Sequence, residues 1–226
     1  MRNLLLILFF FASTLMYSFG QDLSGAYLAK MNEDNHLILV IDGYITHSIY
    51  SDNTYKGTQG GTYKIENNNL VVSYEFDDQS PEKVGETFSL PLEIESNNLL
   101  INGFPFQKQS VKKQDLDGLW RITGRKTNDN IQTIQRGNRK TIKILVDGYF
   151  QWIAINPAEK GFYGTGGGKY SFKDGNYQEN ILFFSRDNSR VGATLDFNGK
   201  IEKSDWHHSG KSSKGDPIYE IWSREK

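Results

Sequence analysis

The chain has 226 residues, with 26 Lys and Arg against 27 Asp and Glu, for a formal net charge of −1. That balance leaves no electrostatic footprint for nucleic acid and no pull towards an anionic lipid surface. There is no cysteine, which excludes a disulfide framework, a thiolate metal site and a lipid-bearing N-terminal cysteine.

Met1-Arg2-Asn3 is a short basic start, Leu4 to Phe11 is an unbroken apolar run, and Ser18 and Gly20 stand at −3 and −1 of a cleavage site. Residues 1–20 therefore read as a signal peptide cleaved before Gln21, which makes the mature chain secreted or periplasmic. The alternative is a retained anchor. The apolar run falls short of the roughly 20 residues a bilayer requires and no basic stop follows it. No other stretch could span a membrane as a helix, so no integral membrane segment is expected after cleavage.

The rest of the chain is written twice. Asp22-Leu23-Ser24-Gly25-Ala26-Tyr27 returns as Asp115-Leu116-Asp117-Gly118-Leu119-Trp120, and Val40-Ile41-Asp42-Gly43-Tyr44 as Leu145-Val146-Asp147-Gly148-Tyr149. From Gly61/Gly168 through Val84/Val191 to Gly103/Gly210 the offset holds at 107 without a gap. It is 93 at Gly25/Gly118 and 105 at Asp42/Asp147, so the second copy carries twelve extra residues before its first hairpin. A duplication of this length sets domain count and architecture together.

Within each copy, short alternating runs are punctuated by turn residues. Leu37 to Ile41, Asp42-Gly43, and Tyr44 to Tyr50 form one hairpin signal; Ile142 to Val146, Asp147-Gly148, and Tyr149 to Ile155 repeat it. Asp-Gly suits a type I′ turn, where both central residues need positive φ. Asn67-Asn68-Asn69, Asp174-Gly175-Asn176, Asn97-Asn98 and Asn198-Gly199 separate further strands. Gln79 to Gly85 and Asp187 to Gly192 carry little alternation and read as short helical turns. Asn128 to Arg139 is polar and reads as a long exposed loop. Strand-rich units of this size remove their sheet edges most simply by closing. The expectation is an all-β protein of two tandem antiparallel up-and-down β-barrels: residues 21–107, a linker at 108–114, and residues 115–226.

Gly118-Leu119-Trp120 resembles the Gly-x-Trp opening of the lipocalins. Phe150-Gln151-Trp152, Gly164 to Tyr170, Tyr177-Gln178-Glu179, Trp206 to Gly210 and Glu220 to Arg224 together resemble the lipocalin-like domain family of secreted bacterial proteins. The likeness covers the second copy nearly end to end and the first only in outline. It implies lipocalin-like barrels and says little about a ligand.

Period-2 facing supplies the candidate site. Tyr177, Ile181 and Phe183 form an apolar set on one face, with Glu179 among them. A carboxylate on an inward face must be paired or hold its proton. Trp206 shares a face with His208, Glu220 with Trp222, and Phe150 with Trp152. The first copy has Val72 for Glu179, Leu99 for Trp206, Ile101 for His208 and His47 for Trp152. One account is that the first barrel is filled while the second keeps a polar pocket. Trp120, Phe150, Trp152, Tyr170, Trp206 and Trp222 would then form aromatic walls, with Glu179 and His208 as polar anchors. The other account makes Glu179, His208 and an arginine such as Arg121 a structural hydrogen-bonded cluster.

Neither metal nor cofactor is expected. His207 and His208 are neighbours on a strand, point to opposite faces, and lack a third nitrogen ligand. Gly164 to Gly168 lacks the Lys-Ser/Thr and helix of a nucleotide loop, and reads as a strand bend or bulge. Ser209 beside His208 has no nucleophile elbow. Three function classes follow: a non-enzymatic protein holding a small, partly apolar ligand in the second barrel; an envelope-associated structural or protein-interaction module with filled barrels; and an enzyme using Glu179 and His208, or Glu179 and Glu220, as acid and base.

Overall fold

The computed structural model describes residues 22–110, 112–128, 130–212 and 214–225; the expected leader lies outside them. The chain forms two closed eight-stranded antiparallel barrels in tandem. The first consists of β1 (Gly25–Met31), β2 (Asp34–Ile41), β3 (Tyr44–Ser51), β4 (Thr54–Glu66), β5 (Asn69–Asp77), β6 (Thr87–Glu95), β7 (Asn98–Ile101) and β8 (Phe104–Lys108), each pairing with the next and β8 closing on β1. The second runs through β9 (Gly118–Thr127), β10 (Asn130–Thr133), β11 (Lys140–Val146), β12 (Tyr149–Asn156), β13 (Gly161–Lys173), β14 (Asn176–Phe184), β15 (Thr194–Glu202), β16 (Asp205–Lys211) and β17 (Pro217–Arg224). There β11 follows β9 around the wall, β17 closes on β9, and β10 is an extra strand paired with β9.

The turn chemistry behaves as read. Asp42 and Gly43 take φ of 51° and 74°, and Asp147 and Gly148 take 50° and 78°. The glycine run is strand with a bulge at Gly167/Gly168, and the first copy has the same bulge at Gly60/Gly61. A Cβ on Gly168 would lie 2.0 Å from the Asn180 carbonyl oxygen, so only glycine lets β13 and β14 approach there. Single 3₁₀ turns at Pro81–Lys83 and Asn188–Arg190 fall in the two expected segments; a third, Pro157–Glu159, carried no sequence expectation. The expected long loop is corrected in part: β10 occupies its start, and the Ile134 N–H bonds the Thr123 carbonyl at 2.8 Å. Its polar residues hid a strand because both faces of β10 are exposed and show no alternation.

Each Gly-x-aromatic opening closes one end of its barrel. Trp120 Nε1 donates to the Leu116 carbonyl at 2.8 Å, and the Arg224 guanidinium from the last strand lies 3.9 Å from the Trp120 ring centre. Gly118 takes a φ of 140°, a backbone conformation that favours glycine, and the Arg224 guanidinium occupies the space a Cβ would need. The first barrel repeats the device in weaker form. The Tyr27 hydroxyl donates to the Leu23 carbonyl at 3.0 Å, and Lys108 Nζ sits 5.6 Å from the Tyr27 ring centre.

The barrels share a third core. Inside the first barrel, Tyr27, Ile38, Val40, Leu70, Val72, Leu99 and Phe106 pack together; inside the second, Trp120, Leu145, Phe150, Tyr177, Phe197, Trp206 and Trp222 do so. Leu37, Leu39, Tyr44 and Phe76 from the first copy meet Ile142, Ile144, Tyr149 and Phe183 from the second. These are the same positions at the repeat offsets. The polar contacts are reciprocal as well. Asp42 accepts from the Leu119 N–H at 2.8 Å, and Asp147 accepts from the Ala26 N–H at 3.4 Å, the second contact being the longer and weaker. Each half therefore offers the other the same patch, an isologous contact within one chain.

Candidate functional site

Glu179 lies on β14 between Tyr177 and Ile181 on the inward face and is 5 % exposed. Burying a carboxylate requires a counter-charge, and here it is Lys143 on β11, whose Nζ lies 2.8 Å from Glu179 Oε1. The Tyr177 hydroxyl donates to the same oxygen at 2.8 Å, and burial followed by the nearby carboxylate holds that phenol well above its ordinary range. Lys143 stands in register with Trp120 on one side and Trp152 on the other. Its ammonium lies 5.2 Å from the ring centres of Tyr177, Trp206 and Trp222 and 5.8 Å from that of Phe150. An aromatic cage of this kind supplies part of the solvation the ammonium lost.

Lys143 is the cavity residue that the sequence reading missed, and it takes the place expected of Arg121 as the partner of Glu179. Arg121 alternates with the inward Trp120 and Ile122, so it points outward. It pairs there with Glu225 at 3.3 Å and donates to the Gly137 carbonyl at 2.6 Å.

His208 on β16 is 2 % exposed, and neither ring nitrogen makes a hydrogen bond. Its Nδ1 lies 3.5 Å from Glu220 Oε2, within ion-pair range but without hydrogen-bond geometry. Burial lowers its pKa most, the nearby Lys143 ammonium acts in the same direction, and the contact with Glu220 and the charge on Glu179 oppose them. Glu220 also accepts from Trp222 Nε1 at 3.2 Å and faces Arg125 at 3.5 Å. Burial alone would raise its pKa, but His208, Lys143 and Arg125 together hold it below the usual carboxylate range. His207 points to the other face and bonds the Tyr219 hydroxyl at 2.8 Å, as strand alternation requires.

These groups line a cavity of about 360 Å³ that opens to solvent beside Arg125, Arg139 and Arg186. Of the eight residues proposed from sequence, Trp152, Glu179, His208 and Trp222 line it. Trp120, Phe150, Tyr170 and Trp206 are packed into the barrel core instead. They share the inward face, which alternation alone left open, and the aromatic rings fill one another's space there: Trp120 to Trp206 is 5.8 Å and Tyr177 to Trp206 is 4.9 Å between centres.

The expectation of a filled first barrel is overturned. It holds a cavity of about 300 Å³ lined mainly by apolar side chains, among them Ile38, Ile45, Leu70, Val72, Ile101 and Phe106, with His36, His47, Gln59, Tyr74 and Asn102 as its polar-bearing residues. The largest change of bulk on its wall is at His47, which stands where the larger Trp152 borders the second cavity, while Ile38 and Val72 replace Lys143 and Glu179 with side chains of similar volume and no charge. Replacing polar residues with aliphatic ones of similar size removed charge without filling the space. Among the described residues, no group of three or more His, Asp or Glu side chains is placed to hold a metal.

No protein-family model and no curated protein matches the chain.

Proposed function

We propose that this chain is a secreted, non-enzymatic binding protein of lipocalin-like type that holds a small, partly apolar molecule in its second barrel. The observation that carries the reading is the cavity bordered by Trp152 and Trp222 and floored by a paired Lys143 and Glu179, with a buried His208 whose ring nitrogens are both unbonded. A buried polar group without a partner costs about 1–3 kcal/mol, and a ligand in that space would recover it. The interaction-module alternative requires filled barrels, and two cavities weigh against it. The enzyme alternative is weakened because Glu179 Oε1 already serves both Lys143 and Tyr177, which holds the carboxylate in place.

The test installs the first barrel's own residues in the second: Lys143→Ile, Glu179→Val and His208→Ile together. Both charges leave at once, so the variant is expected to fold with stability near or above wild type, whereas Glu179→Val alone costs about 3–5 kcal/mol. Native mass spectrometry of chain purified from its own secretion route should show a small-molecule adduct on the wild type and none on the triple variant. An adduct that persists on a folded triple variant would sink the reading.

A further inference from the structure

We infer that the second barrel selects an anion, a small amphipathic molecule whose carboxylate, sulfonate or phosphate group sits at the mouth between Arg139 and Arg186 while its apolar body lies against Trp152 and Phe184. This rests on the second barrel being a ligand site.

The charges around the cavity do not balance. Arg125, Arg139, Lys143 and Arg186 line it against Glu179 and Glu220. Lys143 is matched by Glu179 at 2.8 Å and Arg125 faces Glu220 at 3.5 Å. Among the described residues, no carboxylate comes within ion-pair distance of Arg139 or Arg186; the neighbouring Asp187 is taken by Arg190 at 3.0 Å. The two unmatched guanidiniums approach adjacent residues at the start of β13. Arg139 lies 4.6 Å from the Tyr163 ring centre, and a Cβ on Gly164 would fall 2.6 Å from Arg186 Nε. Two cations at the mouth of a cleft with low-dielectric walls concentrate anions there. A guanidinium also presents paired donors that match a planar or tetrahedral oxyanion.

Comparing the copies makes the charge specific to this barrel. Ile38 stands at the position of Lys143, Gln79 at that of Arg186, and Arg139 belongs to the twelve-residue insertion that the first copy lacks. No Asp, Glu, Lys or Arg lines the first-barrel cavity. The same fold thus exists in this chain with and without the basic mouth, so the mouth is no requirement of barrel closure.

The probes are 8-anilinonaphthalene-1-sulfonate and N-phenyl-1-naphthylamine, nearly isosteric molecules that differ by the sulfonate, titrated into the full chain by fluorescence. Ala154→Trp fills the second cavity, with Thr141→Trp as the substitute block if that variant fails to fold. The binding a block removes defines second-barrel occupancy. In Arg139→Gln/Arg186→Gln, where both side chains are exposed, the sulfonate probe should lose about tenfold in affinity while the uncharged probe is unchanged. The sulfonate probe should also bind the wild type less tightly as salt rises. If the double arginine variant binds both probes as the wild type does, or weakens both equally, anion selection is wrong while the ligand site stands. If neither block removes binding of either probe, the ligand reading itself fails.

Discussion

A single lysine interrupts the apolar run Ile142-Lys143-Ile144-Leu145-Val146, and the first copy has Ile38 in its place. Alternation puts Lys143 on the same face as Leu145, inside the barrel, so its partnership with a buried carboxylate was readable from sequence in principle. The residue was hidden because both faces of that strand are buried and the run reads as apolar throughout. His47 belongs to the same scale and carries a pH prediction. Burial, and then the adjacent His36, lower its pKa from 6.5 to about 4; its Nε2 lies 2.9 Å from His36 Nδ1 and its Nδ1 3.4 Å from Gln59 Nε2. The unfolded chain therefore takes up a proton near pH 6.5 that the folded chain refuses until about pH 4. The neutral ring's contribution is complete above pH 6.5 and is lost as pH falls towards 4, at most about 3 kcal/mol. Urea unfolding of wild type and His47→Leu at pH 7 and pH 4.5 should show the wild type losing more stability on acidification. Parallel losses would remove His47 as a cause.

At the scale of elements, hairpins and bulges repeat because their backbone demands repeat. The Asp-Gly turns and the bulges at Gly61 and Gly168 occur in both copies, although few of the surrounding side chains agree. Gly168→Ala should cost more than about 2 kcal/mol in urea unfolding, because its Cβ would meet backbone oxygen that cannot move without opening the β13–β14 ladder. Gly124→Ala is the control, since its Cβ would first meet the Ile221 side chain at 3.3 Å. A comparable cost at both sites would mean that close backbone approach is not what requires glycine at the bulge. Strands β2 and β11 carry a different lesson. Their apolar runs, continuous in β2 and broken only by Lys143 in β11, mark strands covered on both faces, one by the barrel interior and the other by the partner barrel.

For the whole molecule, the shared core decides how the chain unfolds. Leu37, Leu39, Ile142 and Ile144 are almost fully buried between the barrels, so exposing one barrel strips apolar surface from the other. The reciprocal Asp42 and Asp147 contacts and the bond from Gln151 Nε2 to Thr58 at 3.0 Å add polar register to that interface. Calorimetry should therefore show one unfolding transition with equal calorimetric and van't Hoff enthalpies. Two separated transitions would mean that the barrels are independent units.

Sequence alone determined the repeat, the all-β class, the two barrels, the type I′ hairpins, the glycine bulges, the placement of Glu179 on an apolar face and the pairing of His208 with Trp206 on one face. Each rests on local rules: strand period, positive φ, and the need to close a sheet edge. Only the tertiary structure decided that Lys143 meets Glu179, that four of the aromatic residues fill core while Trp152 and Trp222 border the cavity, and that the first barrel also holds space. Those outcomes depend on which strands lie opposite one another and on how residual volume is shared across a closed barrel. Neither quantity can be read from residues taken one strand at a time.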